Sequence, residues 1–373
     1  MFRPRNNQAA LSKIYHTIVI GAGQAGLAAG YFLKQAGRDF LILDENERVG
    51  DNWRKRWEGL RLFSPQAYNH LPGLAPPEPD DHLPTRLDLA DYLEGYARNF
   101  DLPVRNLCTC VSAQIVKTEK TGGEQRVWEV TTENERFRAH HLVVATGAYQ
   151  TPTRPEAIAD SFPPAVRHYH SSDVRRVEDI AGPDTDVLVV GAGASGQQLS
   201  HLLLKTGASV TLAGPKMGNL PRSLLGKDIY WWLYKTGLIT LRTTRFPGKL
   251  LTNGASGDVT VGEPPLDPAI RRIATHIARY HEGSLRCKCE KTAPEPIPWP
   301  AAGKRGVVLW CTGFRNRFAW LPAEMLDENA YPLLNDGRSS VYPEVVFLGL
   351  PNLRRSNSSL VGGVGADAKE LLG

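Results

Sequence analysis

Two stretches of the chain, "TIVIGAGQAGLAAGYFLKQAGRDFLILD" at residues 17–44 and "DVLVVGAGASGQQLSHLLLKTGASVTLAG" at residues 186–214, follow one plan. Each runs from an apolar strand pattern through a G-x-G-x-x-G turn into a helical pattern and a second apolar strand. Sliding the chain by 170 residues (191 − 21) sets Gly191, Gly193 and Gly196 on Gly21, Gly23 and Gly26 without a gap. A glycine motif alone is weak, but a strand before it and a helix after it make it specific. The chain therefore repeats one βαβ unit shaped to cradle a dinucleotide. The first glycine permits the tight turn, the second lets the backbone approach a pyrophosphate, and the third lets helix and strand pack closely. Ala22, Gln24 and Ala25 complete the first turn, and Ala194 and Ser195 the second. Each helix N-terminus adds free N–H groups and the positive end of its dipole.

The copies differ at one telling position. Asp44 closes the second strand of the first unit, and Gly214 takes its place in the second. An acid there accepts hydrogen bonds from an adenosine ribose and repels a 2′-phosphate; a glycine leaves room for one. Lys216 and Arg222 follow, and a cation near this point accommodates the 2′-phosphate of NADP. The first cradle is thus expected to prefer an unphosphorylated ribose and the second to take NADPH. A flavin and a nicotinamide make a useful pair, because hydride passes between them.

A length of 373 residues allows two domains, and 42% hydrophobic with 22% charged residues is an ordinary globular composition. The net charge of +5 comes from scattered Lys and Arg, so no nucleic-acid partner is expected. No apolar run approaches the ~18 residues of a membrane span, so no stable membrane insertion is expected. The N-terminus lacks the apolar core of a signal peptide, and a cytoplasmic location is the simplest expectation. Cys108, Cys110, Cys287, Cys289 and Cys311 are odd in number, which fits reduced thiols. Their C-x-C pairs miss the usual zinc spacing, and no metal is expected.

"LADYLEGYARNF" has helical periodicity, with Leu89, Tyr92, Leu93 and Tyr96 on one face. The next three apolar segments read as antiparallel strands. "ATGAYQTPTRP" at 145–155 reads as a boundary and "EKTAPEPIPWPAAGKRG" as a return linker. A strand ending in Thr-Gly marks each crossing: "VVATG", with Thr146 and Gly147, and "VLWCTG". This order places a second domain, 151–303, inside a first domain made of 1–150 and 304–373. Trp231, Trp232 and Tyr234 are either pocket wall or core aromatics.

These residues resemble the flavin-containing (class B) monooxygenases, in particular the single-chain bacterial and plant type similar to the indole-pyruvate monooxygenases. The resemblance covers almost the whole chain and lies in "GAGQAG", "RVGDNWRKRW", "LRLFSPQAYNHLPGL", "LVVATGAYQTPTRP", "HSSDV", "VVGAGASG", "LWCTGF" and "FLGLPNLRRSNSSLVGGVGADA". It implies an α/β fold of two Rossmann-like domains of the three-layer β-β-α type, the NADPH domain inserted into the FAD domain. It places FAD on Gly21, Gly23, Gly26 and Asp44, with Asn52 and Trp53 against pyrophosphate and flavin and Val111 meeting the adenine through its backbone. NADPH falls to Gly191, Gly193, Ser195 and Gly196. NADPH would reduce FAD, and O₂ would form a C4a-peroxyflavin that oxygenates a small organic substrate. The remaining alternatives are a flavoprotein reductase with an external acceptor and an inactive flavoprotein or redox sensor. A disulfide reductase needs a pair such as C-x-x-C near the flavin. A homodimer is left open. Of the family's F-x-G-x-x-x-H fingerprint only His170 is kept, with Pro164 and Val166 in place of Phe and Gly and Val174 in place of a following aromatic. His170 is expected to link the domains rather than take part in chemistry.

Overall fold

The computed structural model describes residues 13–120, 123–243, 259–261, 264–288 and 295–373. Its architecture is α/β, organised by two sheets that each carry one glycine cradle. In the first sheet, β1 (Ile14–Ile20) leads through the turn into α1 (Gln24–Gln35) and back to β2 (Phe40–Leu43). β1 and β2 pair in parallel, Thr17 opposite Phe40. A parallel pair needs a crossover, and the small apolar face of α1 (Ala25, Leu27, Ala28, Ala29, Leu33) packs flat on the strands. The short helix α2 (Asp51–Arg54) follows, then α3 (Arg86–Asn99). α3 starts at Thr85, whose side chain and that of Asp88 cap each other's backbone N–H, and it buries Leu89, Tyr92, Leu93 and Tyr96 as its periodicity predicts.

After β3 (Val104–Arg105), the strands β4 (Cys110–Lys120), β5 (Gly123–Thr132) and β6 (Arg136–Val144) pair antiparallel in sequence. The end of β6 lies parallel to β1 and carries the chain to the first Thr-Gly crossing.

The second sheet is all parallel. It holds β7 (Arg167–His170) and then β8 (Thr185–Val190), which leads into α4 (Ala194–Lys205) and β9 (Ser209–Ala213). The helix α5 (Ile229–Lys235) and the edge strand β10 (Arg271–Ile273) come next. Every residue of β8 is buried, as a strand covered on both faces requires. β11 (Arg305–Trp310) sits between β8 and β7, so the chain leaves this sheet only after Trp310, later than the linker at 291–303 suggests. β12 (Val345–Phe347) then returns to the first sheet beside β6, and the twelve-residue helix α6 (Val361–Leu372) packs beside α1.

The repeat therefore extends past the cradle. β2-β1-β6 in one sheet corresponds to β9-β8-β11 in the other, and β6 and β11 each end in a Thr-Gly crossing. No helix among the described residues is long and apolar enough to cross a membrane.

Candidate functional site

Gly21 and Gly191 adopt φ of +104° and +111°, a region closed to most side chains. Each N–H bonds to the end of the second strand of its unit, Gly21 to the Leu43 carbonyl at 2.7 Å and Gly191 to the Ala213 carbonyl at 2.8 Å. A Cβ on Gly21 would stand 2.5 Å from the Ala145 carbonyl oxygen, and one on Gly191 would stand 2.2 Å from that of Cys311. Each crossing strand thus lies directly against the first glycine of its cradle.

Gly26 and Gly196 face inward: an added Cβ would reach within 1.8 and 1.9 Å of the carbonyl oxygens of Gly21 and Gly191. Gly23 and Gly193, between them, have nothing within 4 Å of such a Cβ. Both are N-caps that leave their helices without a side-chain cap or an acid in the first turn. The N–H groups of these turns are what an anion would meet.

Asp44 is buried. Its Oδ2 accepts from the Ala22 N–H at 2.6 Å, while its Oδ1 accepts from the Asn46 N–H at 2.9 Å and Asn46 Nδ2 at 3.0 Å. The carboxylate thereby fixes the glycine turn as well as facing the cavity. In the second unit, Gly214 has φ +148°, and a Cβ there would come 2.9 Å from the Ala192 nitrogen, the counterpart of Ala22. The second cradle has no space for the acid that braces the first.

One cavity of about 630 Å³ runs between the two sheets. Gly21, Gly23, Gln24, Ala25, Asp44, Asn52, Trp53, Val111, Thr146 and Gly147 line it from the first unit, and Ala194 and Ser195 from the second. Ala22, Gly26, Gly191, Gly193 and Gly196 are not among its lining residues. Val111 is the extra residue of a bulge between Cys110 and Ser112 in β4, which takes its backbone out of ladder pairing. Of the two cations expected near a 2′-phosphate, Lys216 is exposed, and Arg222 donates to the Phe63 carbonyl at 2.7 Å and lies 3.5 Å from Asp228. Trp231, Trp232 and Tyr234 are absent from the cavity wall: Trp232 Nε1 donates to the Leu224 carbonyl, and Tyr234 stacks on Tyr68.

His170 ends β7. Its Nε2–H donates to the Gly313 carbonyl at 3.0 Å, and its Nδ1 accepts from the Ser172 N–H at 3.2 Å, a neutral tautomer tied to the second crossing. Burial holds its pKa below the usual 6.5. The crossings are also laced to each other: Thr153 N–H donates to the Gly313 carbonyl at 2.9 Å and the Thr312 hydroxyl donates to the Thr153 carbonyl.

Several residues that gain no separate role from their sequence motifs stand at or beside the cavity. Gly349, with φ +79°, lies against Ala25, where a Cβ would reach Ala25 Cβ at 2.8 Å. Gln150 Nε2 donates to Thr146 Oγ1 at 2.9 Å and to the Gly147 carbonyl at 2.7 Å. Arg56 faces the cavity between the rings of Tyr149 and Phe314. Arg272, on β10, donates to the carbonyls of Leu212 at 3.1 Å and Pro215 at 2.8 Å, which sets a half-buried guanidinium beside Gly214. Cys108 and Cys110 both line the cavity, but burial pushes the Cys110 thiol up to about 12 and raises that of Cys108. Both stay protonated near neutral pH, unlike a reactive thiolate. Cys289, of the other C-x-C pair, lies outside the described residues. Among the described residues no three His, Cys, Asp or Glu side chains come together as metal ligands.

Residues 18–223 match the family model for pyridine nucleotide-disulphide oxidoreductases. The chain is 33% identical over 365 residues to an uncharacterized oxidoreductase, CzcO-like, of Geobacillus kaustophilus, covering 97% of this chain and 98% of that one. It is 32% identical over 222 residues to a probable indole-3-pyruvate monooxygenase, YUCCA8, of Arabidopsis thaliana, covering 57% of this chain and 50% of the relative. A flavin-containing monooxygenase from Stenotrophomonas maltophilia shares the fold at a TM-score of 0.68, with 23% identity over 96% of this chain and 97% of that one. The chain belongs to the pyridine nucleotide-disulphide oxidoreductase family, in a group related to the flavin-dependent monooxygenases of bacteria and plants.

Proposed function

We propose that the chain is an NADPH-dependent FAD monooxygenase acting on a small organic substrate. The observation that carries this reading is a cavity walled by residues of both cradles. Two dinucleotides seated there would bring their reactive ends together. The first cradle suits FAD: the uncapped N-terminus of α1 for the pyrophosphate, Asp44 for the adenosine ribose, the bulged Val111 for the adenine edge. Asn52, Trp53, Thr146 and Gly147 hold the rest. The second suits NADPH: Gly191, Gly193, Ala194, Ser195 and Gly196 at the turn, and Gly214 with Arg272 where a 2′-phosphate needs room and a cation. Lys216, exposed, follows Gly214 by two residues. In this reading a nucleotide lobe spanning 151–310 is inserted into a flavin lobe.

Bound FAD supplies hydride acceptance and the activation of O₂. The chain's own residues orient and shield. Trp53, Trp57, Leu60, Leu62 and Phe63 form an apolar flank that excludes water, which matters where a reactive oxygen species must last until substrate arrives. His170 stays neutral and holds the second crossing in place. A disulfide-reducing role fits poorly, because the cavity cysteines are spaced C-x-C and carry raised thiol pKa values.

A screen of small organic compounds under isotopically heavy dioxygen, with NADPH consumption and product mass followed together, tests the proposal. A product carrying one heavy oxygen per NADPH is expected. NADPH oxidation that yields only hydrogen peroxide, or needs an added electron acceptor, would instead assign a flavoprotein reductase.

A further inference from the structure

We infer that Arg56 seats the nicotinamide-side phosphate of the dinucleotide held by the second cradle; this rests on the NADPH reading above. Arg56 lies in the loop after α2, on the first-sheet side, yet its guanidinium reaches the seam between the lobes. It stands 5.5 Å from the ring of Tyr149 and 5.3 Å from that of Phe314. Those aromatics closely follow the two Thr-Gly crossings and touch edge to face at 5.4 Å. Arg56 therefore sits where the two cradles meet.

Its partners are incomplete. The rings and backbone hold it, with its N–H donating to the Trp53 carbonyl and its carbonyl accepting from Arg175 at 3.4 Å. No protein carboxylate or carbonyl accepts from its guanidinium among the described residues. Burial depresses its pKa, the sign of a cation taken from water without a counter-charge. Five donors in a planar fork, oriented by flanking rings and facing an open cavity, match an oxyanion such as a phosphate.

The choice of phosphate follows from what enters the cavity. Gly214 and Arg272, which would hold the adenosine end, are not among its lining residues, whereas Ala194, Ser195 and Gln198, at the start of α4, line it. The part of the ligand that reaches Arg56 is then the nicotinamide half.

Calorimetric titration of the FAD-loaded protein with NADP⁺ and with 2′,5′-ADP, which lacks the nicotinamide-side phosphate, tests this. In Arg56→Met the Kd for NADP⁺ should rise about 10- to 100-fold, while that for 2′,5′-ADP stays as in the wild type. Arg56→Lys, which keeps the charge without the fork, should fall between and serves alone if the Met variant does not fold. An unchanged NADP⁺ affinity, equal weakening of both ligands, or loss of FAD from a folded variant would each overturn the assignment. Failure of the wild type to bind either ligand would instead overturn the NADPH reading.

Discussion

Gly23 and Gly26 stand three residues apart in one turn and answer to different demands. An alanine at 26 drives its methyl into the Gly21 carbonyl, 1.8 Å away and part of a turn that cannot yield. Gly26→Ala should destabilise the apoprotein by about 3 kcal/mol or more, read from its urea midpoint. An alanine at 23 meets nothing within 4 Å, so Gly23→Ala should leave that midpoint unchanged and lower FAD affinity roughly tenfold. The reverse pattern would refute the division of roles. In the second cradle the analogous test falls on Arg272. Arg272→Met should lower the preference for NADPH over NADH roughly tenfold; an unchanged ratio would remove Arg272 from the 2′-phosphate site.

At the scale of elements, β7 holds its neighbours through neutral imidazoles and α6 through charge. On β7, His168 Nδ1 accepts from Trp310 Nε1–H at 3.1 Å and His170 Nδ1 accepts from the Ser172 N–H. Burial keeps both imidazoles below the usual 6.5. The unfolded chain therefore takes up these protons first as pH falls. The stability they contribute is present above about pH 6.5 and drains away as pH drops through the unfolded value toward the folded ones. The thermal midpoint should fall as the pH is lowered from about 7.5 to 5.5, with a shallower slope in His170→Gln; a midpoint that rises on acidification would contradict this. On α6, Asp367 is fully buried and pairs with Arg355, while Arg354 joins Asp336 at 3.0 Å and Glu370 at 2.8 Å. Arg242, beyond the second cradle in sequence, binds Asp336 and Glu370, and Thr243 N–H donates to the Arg354 carbonyl. Asp367→Asn removes the fully buried charge opposite Arg355, which keeps only the partly exposed Glu370, and should cost about 3 kcal/mol in urea unfolding; a cost below about 1 kcal/mol would show the pair to be dispensable.

At the scale of the whole molecule, legibility in the sequence tracks how local each constraint is. The cradles are legible because three glycines within six residues encode a turn, a contact and a helix start by themselves. The Asp44-to-Gly214 exchange is legible because the repeat has no gap. β11 is a plain apolar strand in sequence, and only its pairing with β8 shows which sheet it joins. Arg272 escapes notice because it lies 58 residues beyond Gly214 (272 − 214) and meets it only through the pairing of β9 with β10. Arg56, Gly349 and Gln150 fall inside motifs of the resemblance, but only the convergence of separate loops brings them to the cavity. The Trp231–Tyr234 cluster is the converse case, conspicuous in sequence and set away from the cavity by the packing of α5. The central claim is that two dinucleotides meet between the two sheets, with hydride passing from one to the other. Anaerobic mixing of the FAD-loaded protein with NADPH, and separately with NADH, measures this directly from the visible flavin band. Bleaching by NADPH, faster than by NADH at equal concentration, is the predicted result; a flavin band that neither nucleotide bleaches would contradict it.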